Sequence, residues 1–114
     1  MQRNFRLTRS EDFKRVRRSG KSYAHPLLVL MVRACDKGQL HVGVAASRAM
    51  GSAVQRNRAK RLLREAMRSL LPAIGPGWDL LLIARPPLLS CSMPEVREAL
   101  LALLRRAELA SDAT

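Results

Sequence analysis

The chain has 114 residues, enough for one domain and not two. Apolar residues make up 47% and aromatics 4%, so the core must be built from Leu, Val, Ile, Ala and Met, and wholesale disorder is excluded. The net charge of +12 on so small a body points to a polyanionic partner.

In chain order, Thr8-Arg9-Ser10-Glu11 reads as a capping box that opens a short helix. Phe13 and Val16 should face inward, and Gly20 suits the position just past the helix end. Tyr23 to Arg33 is an extended stretch whose Leu27–Val32 core has the character of a buried strand. After a turn at Asp36-Lys37-Gly38, Leu40, Val42 and Val44 alternate against His41 and Gly43, as in a half-buried strand. The two strands are expected to pair as an antiparallel hairpin. A long helix begins near Ala53 and should run to about Leu71, closed by Pro72. Gly75-Pro76-Gly77 is a turn, and Trp78 to Ala84 is a strong strand stopped by Arg85-Pro86-Pro87. Trp78 should anchor the core beside it. Ser92-Met93-Pro94-Glu95 is a second capping box, opening a last helix to about Leu109, with 110–114 a frayed tail. The order implies one α+β domain, residues 1–114, in which sheet and helices form a sandwich.

The long helix carries the functional signal. At about 100° per residue, Ala59, Leu62, Leu63, Ala66 and Leu70 share one face. Asn57, Arg61, Arg64 and Arg68 form a stripe on the other, with Lys60 beside it and Arg56 and Arg58 flanking its start. Like charges at such spacings repel by a few tenths of a kcal/mol per pair, roughly, so stability alone does not explain them. Phosphates would neutralise the stripe and release counterions, and arginine can grip phosphate bidentately or stack on bases. Genome bias would spread the arginines evenly. Instead, residues 1–68 hold 17 of the 21 Lys and Arg against four acids, a balance of +13, while residues 69–114 hold four basic and five acidic residues.

Other chemistries find little support. No Ser/His/Asp set, catalytic carboxylate pair or glycine-rich phosphate loop stands out, which argues against a stand-alone nuclease. Glu11-Asp12 is explained as favourable acidic charge at a helix start. His25, His41, Cys35 and Cys91 have none of the usual zinc spacings. The two cysteines are expected as free thiols in the cytoplasm. Met1 to Phe13 is charged and has no apolar stretch of signal-peptide length, and no apolar run is long enough to span a bilayer. A general RNA chaperone-like module would share the basic stripe.

Ser47-Arg48-Ala49-Met50-Gly51-Ser52-Ala53-Val54-Gln55-Arg56-Asn57-Arg58-Ala59-Lys60-Arg61-Leu62-Leu63-Arg64-Glu65 closely resembles the signature of the bacterial ribonuclease P protein family. Arg6-Leu7-Thr8 with Asp12-Phe13, Val16 and Gly20-Lys21-Ser22 is similar to the family's opening. Val42-Gly43-Val44 and Trp78-Asp79-Leu80 through Ile83-Ala84-Arg85 are similar to its strands. The resemblance covers about residues 3 to 106.

The resemblance implies an α-β-β-β-α-β-α order with a left-handed βαβ crossover (a ribosomal protein S5 domain 2-like arrangement), an exception to the usual handedness. Tyr23 to Arg33 should then hold a short strand and a longer one. It also implies a protein subunit with no active site of its own, joined to a catalytic RNA. Together they remove the 5′ leader of precursor tRNA by Mg2+-dependent endonucleolytic hydrolysis, leaving 5′-phosphomonoesters. The Mg2+ would belong to the RNA, and no organic cofactor or obligate protein partner is implied. Carried over by position, Arg48, Arg56, Asn57, Arg58, Lys60, Arg61, Arg64 and, at the end of the stripe, Arg68 would contact the catalytic RNA. Phe13, Arg17 and Met31 would line a leader-binding cleft between the first helix and the sheet. Arg17 and Met31 stand where many members carry an aromatic, and Ala49 where many carry a basic residue. Leader contacts here should therefore lean more on charge than on stacking, which is worth roughly 1–3 kcal/mol per base.

Overall fold

The structure is a computed structural model that describes residues 10–35 and 38–109, with side chains from residue 14 onward. Helix α1 (Ser10–Ser19) leads into strands β1 (Lys21–Ala24), β2 (Leu28–Ala34) and β3 (Leu40–Ala46). A 3-10 turn at Arg48–Met50 precedes helix α2 (Ala53–Arg68), and strand β4 (Trp78–Ala84) and helix α3 (Met93–Arg106) complete the expected α-β-β-β-α-β-α order. The box at Thr8–Glu11, the inward-facing Phe13 side chain, the turn residues Asp36 and Lys37, and the tail at 110–114 lie outside what is described.

The sheet order is β1-β2-β4-β3. Strand β2 is antiparallel to both β1 and β4, whereas β3 is parallel to β4. The expected hairpin between the second and third strands therefore does not form, because β4 lies between them. Burial explains the insertion. Leu80, Leu81 and Leu82 are all 0% exposed, so β4 is covered on both faces, as a central strand requires. In β3, His41, Ala45 and Ala46 are only half-buried, which suits an edge. Because β3 and β4 are parallel, their connection must cross over, and α2 is that crossover.

Alternation along the strands divides the core. Leu80 and Leu82 of β4, Leu28 and Leu30 of β2, and Val42 and Val44 of β3 pack with α2 and α3. On the opposite face, Leu81 packs with Val16 of α1, bordered by Met31, Ala45 and Ile83. Each fully buried Leu contributes about 1.5–3 kcal/mol relative to exposure. The α2 face matches the expected one at Ala59, Leu63, Ala66 and Leu70; Leu62 is only half-buried, and Met67 joins the core in full. Half-buried Trp78 packs against the same cluster, as expected.

Helix ends depart from expectation for identifiable reasons. Helix α2 stops at Arg68, and Leu71–Ala73 forms a separate 3-10 turn, since Pro72 has no N–H to give the Arg68 carbonyl four residues back and its ring would clash with that carbonyl. Helix α3 stops at Arg106, and Glu108 takes a left-handed φ of 61°. Gly20 is not among the positive-φ glycines, so it is not the left-handed helix terminator that its position suggested. It is there for space: a Cβ would press on the carbonyl oxygens of Val16 and Val32, where α1 meets β2.

The box at Ser92 forms as expected. The backbone N–H and the hydroxyl of Ser92 both donate to Glu95 Oε1, at 3.0 and 2.9 Å. These two bonds lower the Glu95 pKa from its ordinary value, the backbone bond most. A lowered folded-state pKa contributes stability that is present above the unfolded value and lost as pH falls through the folded one. The wild type should therefore be more stable than Glu95→Gln at neutral pH, with the gap closing as pH drops below the ordinary carboxylate range. Urea unfolding of both chains across that range checks this; a gap that is constant with pH would contradict it.

Candidate nucleic-acid interface

The basic surface is set by how α2 begins. Gly51 has a φ of 117°, and a Cβ there would collide with the Gln55 side chain. That close approach allows a reciprocal cap: Ser52 N–H donates to Gln55 Oε1 at 2.8 Å, and Gln55 N–H donates to Ser52 Oγ at 3.3 Å. The Ser-x-x-Gln spacing is the sequence signal for this cap, one not used in the sequence analysis above. The cap fixes the first turn, which contains no acid, so the positive end of the helix dipole and the basic residues add together. Ahead of it, Met50 is buried and pins the 3-10 turn, leaving Arg48 exposed.

Along α2, Asn57, Arg58, Arg61 and Arg68 are exposed, while Arg56, Lys60 and Arg64 are half-buried. The latter three recur every fourth residue, one row along the helix beside the core. The Nε atoms of Arg56 and Arg64 are out of reach of solvent, so their stems lie along the protein. The expected stripe of Asn57, Arg61, Arg64 and Arg68 is thus exposed at three positions and partly sunk at Arg64. Glu65 Oε2 lies 3.6 Å from Arg68 Nη1, an exposed pair worth little to stability. Among the described residues, Arg58 and Arg61 have no ion-pair partner. Arginines of the C-terminal third serve the fold instead. Arg85 donates to the His25 carbonyl, Arg97 to Ser69 Oγ and Arg106 to the Ala24 carbonyl. Arg106 also lies over the Tyr23 ring, 5.9 Å from its centroid.

The second expected surface lies on the α1 side of the sheet. Met31 is half-buried there and pairs in register with Leu81, beneath Val16. Arg17 is exposed on α1, near its end. The backbone of α1 includes Phe13, but its side chain is outside what is described. Past Met31 on the same face is a polar group that sequence reasoning missed. Asp79 is the buried charged residue of the described core, 5% exposed. His41 Nδ1 lies 3.1 Å from its Oδ1, and Arg33 Nη1 lies 3.8 Å from its Oδ2. Arg33 Nε in turn donates to Ser19 Oγ at 2.9 Å, tying the sheet to the end of α1. A carboxylate inside an otherwise apolar strand was the available signal.

The family model for ribonuclease P matches residues 1–108. The chain belongs to the ribonuclease P protein family. The ribonuclease P protein component of Herpetosiphon aurantiacus is 39% identical over 112 residues, 98% of this chain and 91% of the relative. That of Chloroflexus aurantiacus is 41% identical over 108 residues, 94% of this chain and 80% of the relative. Among solved structures, the Staphylococcus aureus RNase P protein superposes with a TM-score of 0.81 at 27% identity, covering 94% of this chain and 98% of that one. The Thermotoga maritima RNase P protein gives 0.79 at 32% identity, covering 89% and 96%. As a ribonuclease P protein, the chain is a component of a ribonucleoprotein, with an RNA partner and a role in tRNA processing. No described helix is long and apolar enough to cross a membrane.

If exposed, unpaired Arg61 meets a phosphate, Arg61→Ala should weaken RNA binding and reduce the salt slope by about one unit. Binding isotherms at several salt concentrations measure both; an unchanged slope would remove Arg61 from the interface.

Proposed function

We propose that the chain is the protein subunit that docks on the catalytic RNA of ribonuclease P through α2 and guides the 5′ leader of precursor tRNA along the α1 side of the sheet. The observation that carries this reading is the set of exposed cations on α2, at positions matching the family signature, with Glu65 the helix's one acid and paired with Arg68. Arg48, Arg56, Asn57, Arg58, Lys60, Arg61, Arg64 and Arg68 form the docking surface. Arg58 and Arg61 carry most of the phosphate contact, because they are exposed and unpaired. Half-buried Arg56, Lys60 and Arg64 are held in place by their packed stems, so they position the RNA at low entropic cost.

Leader contact falls to Phe13, Arg17 and Met31. With Met31 as floor and Arg17 at the rim, it depends on apolar contact and charge more than on aromatic stacking. Hydrolysis belongs to the RNA, which also holds the Mg2+. The α2 surface is a poor Mg2+ site, since its one acid, Glu65, is paired with Arg68. The protein lowers the Mg2+ needed by neutralising phosphates that would otherwise repel one another. The complex works in the cytoplasm.

The purified chain alone should not cleave precursor tRNA, and with its cognate RNA it should restore leader removal at low Mg2+. Reconstituted cleavage assays across Mg2+ concentrations test this. Failure to enhance cleavage at any salt concentration would refute the subunit role and leave a general RNA-binding module.

A further inference from the structure

We propose that Cys35, His41 and Asp79 form a binding site for one thiophilic divalent metal ion of the Zn2+ class. The spacing of the histidines and cysteines gave no such indication, because the site is assembled by sheet register. Arg33 and His41 are both register partners of Asp79, in one row across β2, β4 and β3. Continued one residue past the end of β2, the same alternation puts Cys35, two residues past Arg33, on the same side as that row. The position of Cys35 is fixed by the bond from its N–H to the Gly77 carbonyl at 2.8 Å. As a result, one ligand atom from each of Cys35, His41 and Asp79 lies within 4.8 Å of the other two.

The donor set suits a particular class of ion. A sulfur, an imidazole nitrogen and a carboxylate oxygen favour Zn2+ and its d-block neighbours over Mg2+ or Ca2+, which prefer oxygen. The 3.1 Å between His41 Nδ1 and Asp79 Oδ1 is close to the edge of a tetrahedral shell, about 3.3 Å for metal–ligand bonds of about 2.0–2.1 Å. The ion takes the place of the hydrogen between those atoms; that proton leaves to solvent, and His41 binds through Nδ1 as a neutral imidazole with its proton on Nε2. Cys35 loses its thiol proton to solvent and binds as thiolate, so the ligands carry two negative charges and the occupied site is neutral. Three protein ligands leave the fourth position to water.

Two features adapt the site. The Asp79 side chain is only 8% exposed, so much of the desolvation of its carboxylate accompanies folding rather than binding. Arg33 Nη1, 3.8 Å from Oδ2, opposes a cation electrostatically but also orients the carboxylate so that Oδ1 faces His41. An ion here would join the ends of β2, β3 and β4 beside the Arg33–Ser19 link to α1.

Cobalt serves as the optical probe. Titrating Co2+ into the reduced, metal-free full chain should give one equivalent of a four-coordinate site, with visible d–d bands and a thiolate-to-cobalt charge-transfer band, displaced by Zn2+. Cys35→Ser should lose the charge-transfer band, Cys91→Ser should retain it, and His41→Gln should weaken binding at least tenfold. The proposal is overturned if the wild type shows no such band, if Cys35→Ser keeps it, or if Cys91→Ser abolishes it. A second measurement needs no folded variant: one equivalent of Zn2+ should slow alkylation of Cys35 in the wild-type chain and leave Cys91 unaffected. Equal labelling of Cys35 with and without Zn2+ would overturn the site.

Discussion

A strand buried on both faces needs a cover on each, and β4 is that strand. With Leu80 and Leu82 against α2 and α3 and Leu81 against Val16 of α1, it cannot sit at an edge without losing several kcal/mol of burial, of order 1.5–3 kcal/mol per Leu. It therefore separates β2 from β3, although those two are consecutive in the chain. Its parallel pairing with β3 requires a crossover, and the crossover is the basic helix. Fold and proposed function thus share one constraint: α2 both covers the core, together with α3, and carries a dense run of basic residues.

That double duty explains how the arginines divide. On α2, the side facing the sheet is closed by Ala59, Leu63, Ala66 and Met67. Its borders hold Arg56, Lys60 and Arg64 by their stems, and its outer face presents Arg58 and Arg61. A cation anchored by its own methylenes loses little further freedom when it meets a phosphate. Arg85, Arg97 and Arg106, after β4, do opposite work, donating to carbonyls and a hydroxyl of the fold itself.

Local features were legible in the sequence, and long-range ones were not. The helical period of Ala59, Leu63, Ala66 and Leu70 marked the buried face of α2, the run Trp78–Ala84 bounded β4, and Ser92 with Glu95 marked the start of α3. The strand order was hidden, because alternating apolar residues look the same whether two strands pair directly or flank a third. The Cys35, His41 and Asp79 cluster was hidden for the same reason. Its members are neighbours only through register, and no spacing rule within the chain encodes that. The Arg48–Arg64 signature was plain, but its split into exposed and half-sunk cations depends on how α2 lies on the sheet.

In the proposed function, the two faces of one sheet meet two different RNAs. Site-specific photocrosslinking in the reconstituted complex with precursor tRNA tests that most directly, with the crosslinker placed at Arg61 in one preparation and at Met31 in another. Crosslinks from position 61 to the catalytic RNA and from position 31 to leader nucleotides are the expected result. Crosslinks from position 31 to the tRNA body alone, or from position 61 to the leader instead of the catalytic RNA, would contradict it.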